Sequence, residues 1–233
     1  MRLINLSENN GEVRLEFFGC NLKCPYCVHI TQPFEEYSID QIIDFVRDSD
    51  AQKVFLGGAE PTIQKDLMSL IEELDRLGVE TLLKSDGMKP EVLELAMPYV
   101  KGFVLELKAP MDDTASLAEL TGMPEDRVDK YVANLSKSLE LAKNKWLRIW
   151  IRLIPGYVTG KRFEKVIPLL EGASEVLLYQ FLSNPDFDLP FKDYSDPVPS
   201  WNEMEELASI ACHVVPTVVI IGENGKKSIH CGN

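Results

Sequence analysis

The sequence predicts an α/β fold, a partial (βα)6 barrel with a short C-terminal extension, and three observations carry that expectation. From Val13 onward, short apolar runs alternate with longer segments of helical period. The alternation yields six strand–helix units, and repeated βα units imply a parallel sheet with right-handed crossovers. The chain has 233 residues, 45% hydrophobic and 26% charged, which suits a single soluble globular domain.

The elements follow in order. Val13-Arg14-Leu15-Glu16-Phe17-Phe18 reads as the first strand, and Ile39 to Val46 as the first helix. Lys53 to Gly58 is a buried strand. Asp66 to Leu77 is a helix with Leu67, Leu70, Ile71 and Leu74 on one face, ended by Gly78. Val79 to Leu83 is the third strand, and Glu91 to Ala96 a short helix stopped before Pro98. Gly102 to Leu107 is the fourth strand, and Arg127 to Lys143 the longest helix. Trp146 to Leu153, helical Arg162 to Leu170 (interrupted by Pro168) and strand Glu175 to Phe181 complete the six units. No sequence repeat relates them. Residues 1–182 are thus expected to form the core, and 183–233 an extension packed on the same domain. That extension opens with a Pro- and Asp-rich covering loop over 183–200, then a helix Trp201–Cys212 and a β-branched strand Val214–Ile221.

Charge narrows the possible partners. There are 24 basic and 37 acidic residues, a net charge of −13, and the pI is near 4.7. That balance argues against a broad phosphate-binding surface, so nucleic acid is not an expected partner. No apolar run approaches a membrane span and the N-terminus lacks a basic-then-apolar signal, so a cytoplasmic protein with reduced thiols is expected.

The sharpest chemical feature is Cys20-Asn21-Leu22-Lys23-Cys24-Pro25-Tyr26-Cys27, a C-x₃-C-x₂-C loop following the first strand and Gly19. Thiolates so close on one loop can converge on a soft metal site. A cubic iron–sulfur cluster normally takes four cysteines, one per iron, so a loop supplying three leaves an iron open to chemistry. Three cysteines in eight residues fit poorly with ordinary buried thiols, and an odd total of five fits poorly with a disulfide framework. Structural zinc stays open as an alternative, with His29 as a conceivable fourth ligand.

Reactive groups in βα barrels gather where strands end. The second strand ends Gly57-Gly58-Ala59-Glu60-Pro61-Thr62, where glycine permits close backbone approach and Glu60 is a fixed acceptor; a plain turn with Thr62 as a helix cap is the simpler reading. The third ends Lys84-Ser85-Asp86-Gly87. In the fourth, Glu106 and Lys108 share a face by period two, and a charged pair in an apolar strand needs partners or ligands. The fifth carries Arg152 just before Pro155-Gly156. Asp112-Asp113 reads as a helix N-terminus, Cys212 as a buried thiol, and His230-Cys231 has no assigned role.

These residues resemble the radical S-adenosylmethionine (SAM) superfamily, through Cys20, Cys24 and Cys27 with Tyr26 and through Gly58-Ala59-Glu60-Pro61. The later strand ends and the long helix are similar to the activating enzymes of glycyl-radical enzymes. The resemblance spans Val13 to Phe181 and implies the TIM-like partial barrel of the radical SAM type. It implies that Cys20, Cys24 and Cys27 hold a [4Fe-4S] cluster whose open iron takes the amino and carboxylate groups of SAM. Tyr26 then lies beside the adenine, and Gly58, Ala59 and Glu60 meet the methionine amino group. Lys84, Ser85, Asp86, Glu106, Lys108 and Arg152 complete the expected SAM contacts. The implied chemistry is one-electron cleavage of SAM to methionine and a 5′-deoxyadenosyl radical that abstracts hydrogen. The implied partners are a glycyl-radical enzyme, such as an anaerobic ribonucleotide reductase or a formate-lyase-like protein, and a reductant such as ferredoxin or flavodoxin. Alternatives are action on a small molecule, as in 7-carboxy-7-deazaguanine synthases, modification of a protein side chain, or a non-catalytic zinc-bearing interaction protein.

The chain departs from the family pattern at three places. Ala59 replaces the second glycine of GGEP, and Lys84-Ser85-Asp86-Gly87 stands where activases read Asp-Thr-Asn-Gly. Lys84 is expected to neutralise the SAM carboxylate or pair with Glu106, against the plainer reading that it snorkels to solvent. The family histidine at the sixth strand end has no match, and Gln180 is the nearest polar residue. Leu120-Thr121-Gly122-Met123-Pro124 resembles an activase segment that would contact the target, though a turn explains it equally well.

Overall fold

The computed structural model describes residues 1–29 and 31–232. The chain folds as two compact units, the first of Met1–Asn21, Val28–Val104 and Asn134–Lys145, and the second of Leu22–Cys27, Leu105–Ala133 and Trp146 onward.

In the first unit, β1 (Arg2–Asn9), β2 (Glu12–Phe17), β3 (Glu35–Glu36), β4 (Lys53–Gly58) and β5 (Glu80–Ser85) lie in the order β3-β1-β2-β4-β5. β2, β4 and β5 run parallel, with Val13 beside Val54 and Val54 beside Thr81. β1 pairs antiparallel with β2 and β3 antiparallel with β1. The sequence reading begins at Val13 and misses β1 for a physical reason. Only Leu3 of β1 is buried, so the strand presents no apolar run. Its register is set by a two-residue turn, Asn10-Gly11, with both residues at positive φ.

α1 (Ile39–Asp48) starts at a capping box in which Ser38 and Gln41 satisfy each other's backbone N–H groups. It buries Ile42, Ile43 and Val46, while α2 (Leu67–Arg76) buries Leu67, Leu70, Ile71 and Leu74, the face read from spacing. Val13, Leu15 and Phe17 of β2 and Leu56 of β4 are fully buried, and side chains of this kind contribute about 1.5–3 kcal/mol each. α3 (Pro90–Ala96) follows β5.

β6 (Gly102–Leu107) begins in the first unit and ends in the second. The second unit holds α4 (Thr114–Thr121), the start of α5 (Val128–Ala142), β7 (Trp146–Leu153), α6 (Lys161–Glu164), α7 (Ile167–Leu170), β8 (Glu175–Gln180), α8 (Trp201–Ala211), β9 (Thr217–Gly222) and β10 (Gly225–His230). β7, β8 and β9 are parallel neighbours, and β10 returns antiparallel to β9. β7 alternates half-buried and buried residues along its whole length, so Leu147, Ile149, Ile151 and Leu153 fill one face. Asp113 caps α4 by accepting the Ser116 N–H at 3.1 Å, as its position after Asp112 leads one to expect.

One sequence expectation is corrected. Cys212 is not a thiol: it forms a disulfide with Cys231, tying the end of α8 to the residue after β10. Spacing could not show this, because the bond joins segments brought together only by the β9–β10 return. Gln180, the nearest polar residue to the sixth strand end, is used inside the fold. It is buried, donates to the Pro199 carbonyl at 2.8 Å and accepts the Glu223 N–H at 2.9 Å, holding the C-terminal segment. No helix among the described residues is long and apolar enough to cross a membrane.

Candidate active site

In the first unit the turn after β4 is sewn to the end of β2. Gly58 takes φ +80°, and a methyl there would fall 2.5 Å from the Phe17 nitrogen. Glycine is therefore demanded first by the neighbouring strand. The Ala59 N–H donates to Phe17 O at 2.9 Å and the Glu60 N–H to Gly19 O at 3.0 Å. These bonds fix the residue just before Cys20. Gln64 adds a side-chain donation to Phe18 O at 2.9 Å.

Glu60 is 1% exposed and is the hub of this unit. Its Oε1 accepts from the Thr62 N–H (3.0 Å), the Thr62 hydroxyl (2.5 Å) and the Ser85 hydroxyl (3.0 Å). Its Oε2 accepts the Asp86 N–H at 2.7 Å. A carboxylate offers about four acceptor sites, so this chain occupies most of them itself. The capping role foreseen for Thr62 belongs to Glu60 instead. Lys84 donates to Gly58 O at 3.3 Å. Ser85, Asp86 and Gly87 are held in turn: the Gly87 N–H donates to Ser85 Oγ, and the Gly87 carbonyl accepts from Ser138 of α5 at 2.8 Å.

In the second unit, Tyr26, Glu106, Lys108 and Arg152 meet, as their period and strand-end positions lead one to expect. Lys108 Nζ stands 2.9 Å from Glu106 Oε2, with only 3% and 14% of the side chains exposed. It also donates to the Tyr26 phenol oxygen at 3.4 Å. Burial pulls the Lys108 pKa down, but Cys24 and Glu106 outweigh it and hold the ammonium well above the ordinary lysine value. Burial raises Tyr26 well above the ordinary phenol value, against Lys108, so it remains a neutral hydroxyl. The Arg152 guanidinium lies 5.3 Å from the Tyr26 ring centroid and 5.5 Å from that of Tyr179, and its buried Nε has no hydrogen-bond partner. Phe191 meets the Tyr26 ring edge-on at 5.5 Å. Tyr179 and Phe191 are missed by sequence reasoning, since Tyr179 stands in an apolar strand and Phe191 in the Pro- and Asp-rich covering loop, and neither carries a local sign of the contact.

Cys20, Cys24 and Cys27 are half-buried and outside any disulfide. Among the described residues, no three His, Cys, Asp or Glu side chains converge on one ion. Three thiols outside any disulfide are a soft donor set, and that chemistry fits a cluster with one open iron.

The Radical SAM superfamily model matches residues 17–167, more than half the chain and all of the residues above except the C-terminal aromatics. The chain belongs to the radical SAM superfamily. As a radical SAM enzyme it uses a [4Fe-4S] cluster and SAM. Two Methanocaldococcus jannaschii proteins named as putative glycyl-radical enzyme activating enzymes resemble it. One is 24% identical over 91% of this chain and 89% of its own length, the other 26% identical over 82% and 70%. A 7-carboxy-7-deazaguanine synthase of Haemophilus influenzae is 31% identical over 33% of this chain and 36% of its own length. Among solved structures, TYW1 with a lysine-pyruvate adduct superposes with a TM-score of 0.66 at 17% identity, covering 94% of this chain and 80% of that one. Streptococcus suis SuiB bound to SAM gives 0.65 at 16%, covering 87% and 48%. These likenesses establish the fold: a mixed α/β radical SAM fold built on parallel strands, the partial TIM-barrel class.

Proposed function

We propose that this radical SAM enzyme activates a glycyl-radical enzyme. The observation that carries the reading is extent: the two activating-enzyme relatives align over 91% and 82% of the chain, beyond the family core. The synthase relative aligns over a third, and action on a small molecule is kept as the second reading on that match.

In this reading Cys20, Cys24 and Cys27 hold the cluster. What the bound group supplies is one-electron cleavage of a sulfonium and hydrogen abstraction by the resulting carbon radical. The protein's residues bind and orient. In the first unit the end of β2 fixes the Gly58–Ala59 turn and the Glu60 carboxylate fixes Thr62 and the Ser85–Asp86 loop, so that their backbone and side-chain groups present fixed partners to SAM. Lys84 brings a cation for the SAM carboxylate. In the second unit Lys108 stays an ammonium and Tyr26 a phenol, while Glu106 and Arg152 complete the charged lining. We assign the reductant to a ferredoxin- or flavodoxin-type protein, the setting to an anaerobic cytoplasm, and residues 183–233 to an extension of the core.

The test is anaerobic. Holoenzyme reduced in the presence of SAM is mixed with purified anaerobic ribonucleotide reductase or pyruvate formate-lyase. An organic radical in the electron paramagnetic resonance (EPR) spectrum, with one 5′-deoxyadenosine per radical, is the expected result. Stoichiometric 5′-deoxyadenosine formed only with a deazapurine precursor, and no protein radical, overturns it in favour of the second reading. Lys84→Ala is expected to weaken SAM binding roughly tenfold, the size of a lost charged hydrogen bond. Unchanged affinity by calorimetry removes Lys84 from the site.

A further inference from the structure

Two segments remote in sequence grip the backbone of the cysteine loop, all within the second unit. On one side, the Lys23 N–H donates to the Thr121 carbonyl at 2.9 Å. Gly122, which ends α4 in the left-handed conformation at φ +64°, sits so close that a methyl there would fall 2.2 Å from the Lys23 carbonyl oxygen. On the other side, the Asp188 N–H donates to the Pro25 carbonyl at 2.7 Å. Phe191, fully buried, sets its ring against Tyr26 and is itself backed by Tyr194, stacked at 5.5 Å. Tyr194 is anchored by its hydroxyl to the Pro155 carbonyl at 2.6 Å. The four residues Lys23–Tyr26 are thus held at Lys23, Pro25 and Tyr26 by groups that are neither cysteines nor strand ends.

We propose that Thr121–Gly122 and Asp188–Phe191 are positioning elements that preform the cysteine loop. The ordering of Lys23–Tyr26 is accomplished when the chain folds, and the cluster enters a loop already set. The proposal rests on the reading that Cys20, Cys24 and Cys27 hold the cluster. It gives the Leu120–Pro124 segment a role inside this molecule. It also brings Asp188 and Phe191, which lie past the matched family residues 17–167, into the support of the cofactor. A loop held in one conformation also governs cluster electronics, because bonding and solvent exposure around the sulfurs tune the iron–sulfur potential.

The molecule contains its own control. Gly78, after α2, has φ +74°, and a methyl there would meet nothing within 4 Å. Gly78→Ala and Gly122→Ala therefore carry the same left-handed backbone penalty, and only the second pushes on Lys23. Phe191→Leu probes the other side while keeping the site apolar. Three measurements apply to each variant and to wild type: hydrogen exchange of residues 21–27 in protein without iron, iron and sulfide uptake, and EPR of the reduced cluster with and without SAM. Gly122→Ala and Phe191→Leu are expected to exchange roughly tenfold faster across the loop, the scale of losing one local bond, and to give altered cluster spectra. Gly78→Ala is expected to match wild type in all three. Loop exchange and spectra in both variants that equal those of Gly78→Ala overturn the proposal, as does faster exchange with unaltered uptake and spectra. Should Gly122→Ala fail to fold by circular dichroism, Phe191→Leu decides. A wild-type chain that takes up no iron and sulfide defeats the cluster reading, while the exchange comparison still decides whether the grip exists.

Discussion

Lys108 keeps its charge with almost none of its side chain in water, held by Cys24 and by Glu106, which lies two residues back on the same strand face. Taking one partner from such a pair strands the other, at a cost of about 3–5 kcal/mol. Lys108→Met is therefore expected to lower unfolding free energy by that amount in urea melts. Adding Glu106→Leu should recover most of the loss while leaving SAM binding impaired. Recovery of stability without loss of SAM affinity would remove the pair from the binding role. This pair was readable from sequence because charge inside an apolar strand is locally conspicuous. Arg152 was readable for the same reason. Its aromatic neighbours, Tyr179 and Tyr26, were not visible as its neighbours, because residues 26, 152 and 179 come together only through folding.

Element by element, the sequence marked strands β4, β6 and β7 at their observed bounds and α1, α2, α3, α5 and α8 within a few residues, while of α4 only the start at Asp112-Asp113 was marked and α6 and α7 were read as one interrupted helix. The strands it missed are those whose stability comes from pairing rather than burial. β10 is nearly all exposed, and β1 buries one side chain. The Asn10-Gly11 turn, flanked by Val13 and Leu15, was the available signal for β1. The β4 turn makes a clear demand on backbone geometry. Gly58→Ala combines positive φ with a 2.5 Å approach to Phe17 N, and a loss above about 3 kcal/mol is expected by chemical denaturation. A wild-type melting curve would show that the two strands can part at no cost.

α4 offers a pH test. Burial raises the Asp113 pKa, but bonds from the Ser116 hydroxyl and N–H, with Arg162 and Lys165 nearby, lower it overall. A carboxyl whose folded pKa is depressed adds stability above its unfolded value near 3.9, and that stability is lost as pH falls through the folded value. Asp113→Ala is therefore expected to cost about 1 kcal/mol at neutral pH, the usual worth of an N-cap, with the gap to wild type closing as pH falls through the depressed folded value. A gap independent of pH would show that the ionised carboxylate is not what caps the helix.

For the whole molecule, alternation of strand and helix sufficed to predict parallel α/β architecture, because that pattern admits few topologies. It could not announce the Cys212–Cys231 bond, which closes a 19-residue separation. A loop near that size is worth about 3 kcal/mol when cross-linked, so Cys212→Ser should melt correspondingly earlier than oxidised wild type and alongside reduced wild type. Equal melting of oxidised and reduced wild type would show that the bond adds nothing.

That bond also sets two parts of one chain at odds over oxygen. Of five cysteines, two are joined by losing electrons, and the three proposed to hold the cluster can do so only while they remain unoxidised. The same reductant that protects the loop after Gly19 can open the tie at the end of α8, and the same air that closes the tie can spoil the loop. Two preparations identical in sequence can then differ at opposite ends of the chain according to the order in which they met oxidant and iron. Mass spectrometry of the C-terminal peptide would reveal which history a sample carries.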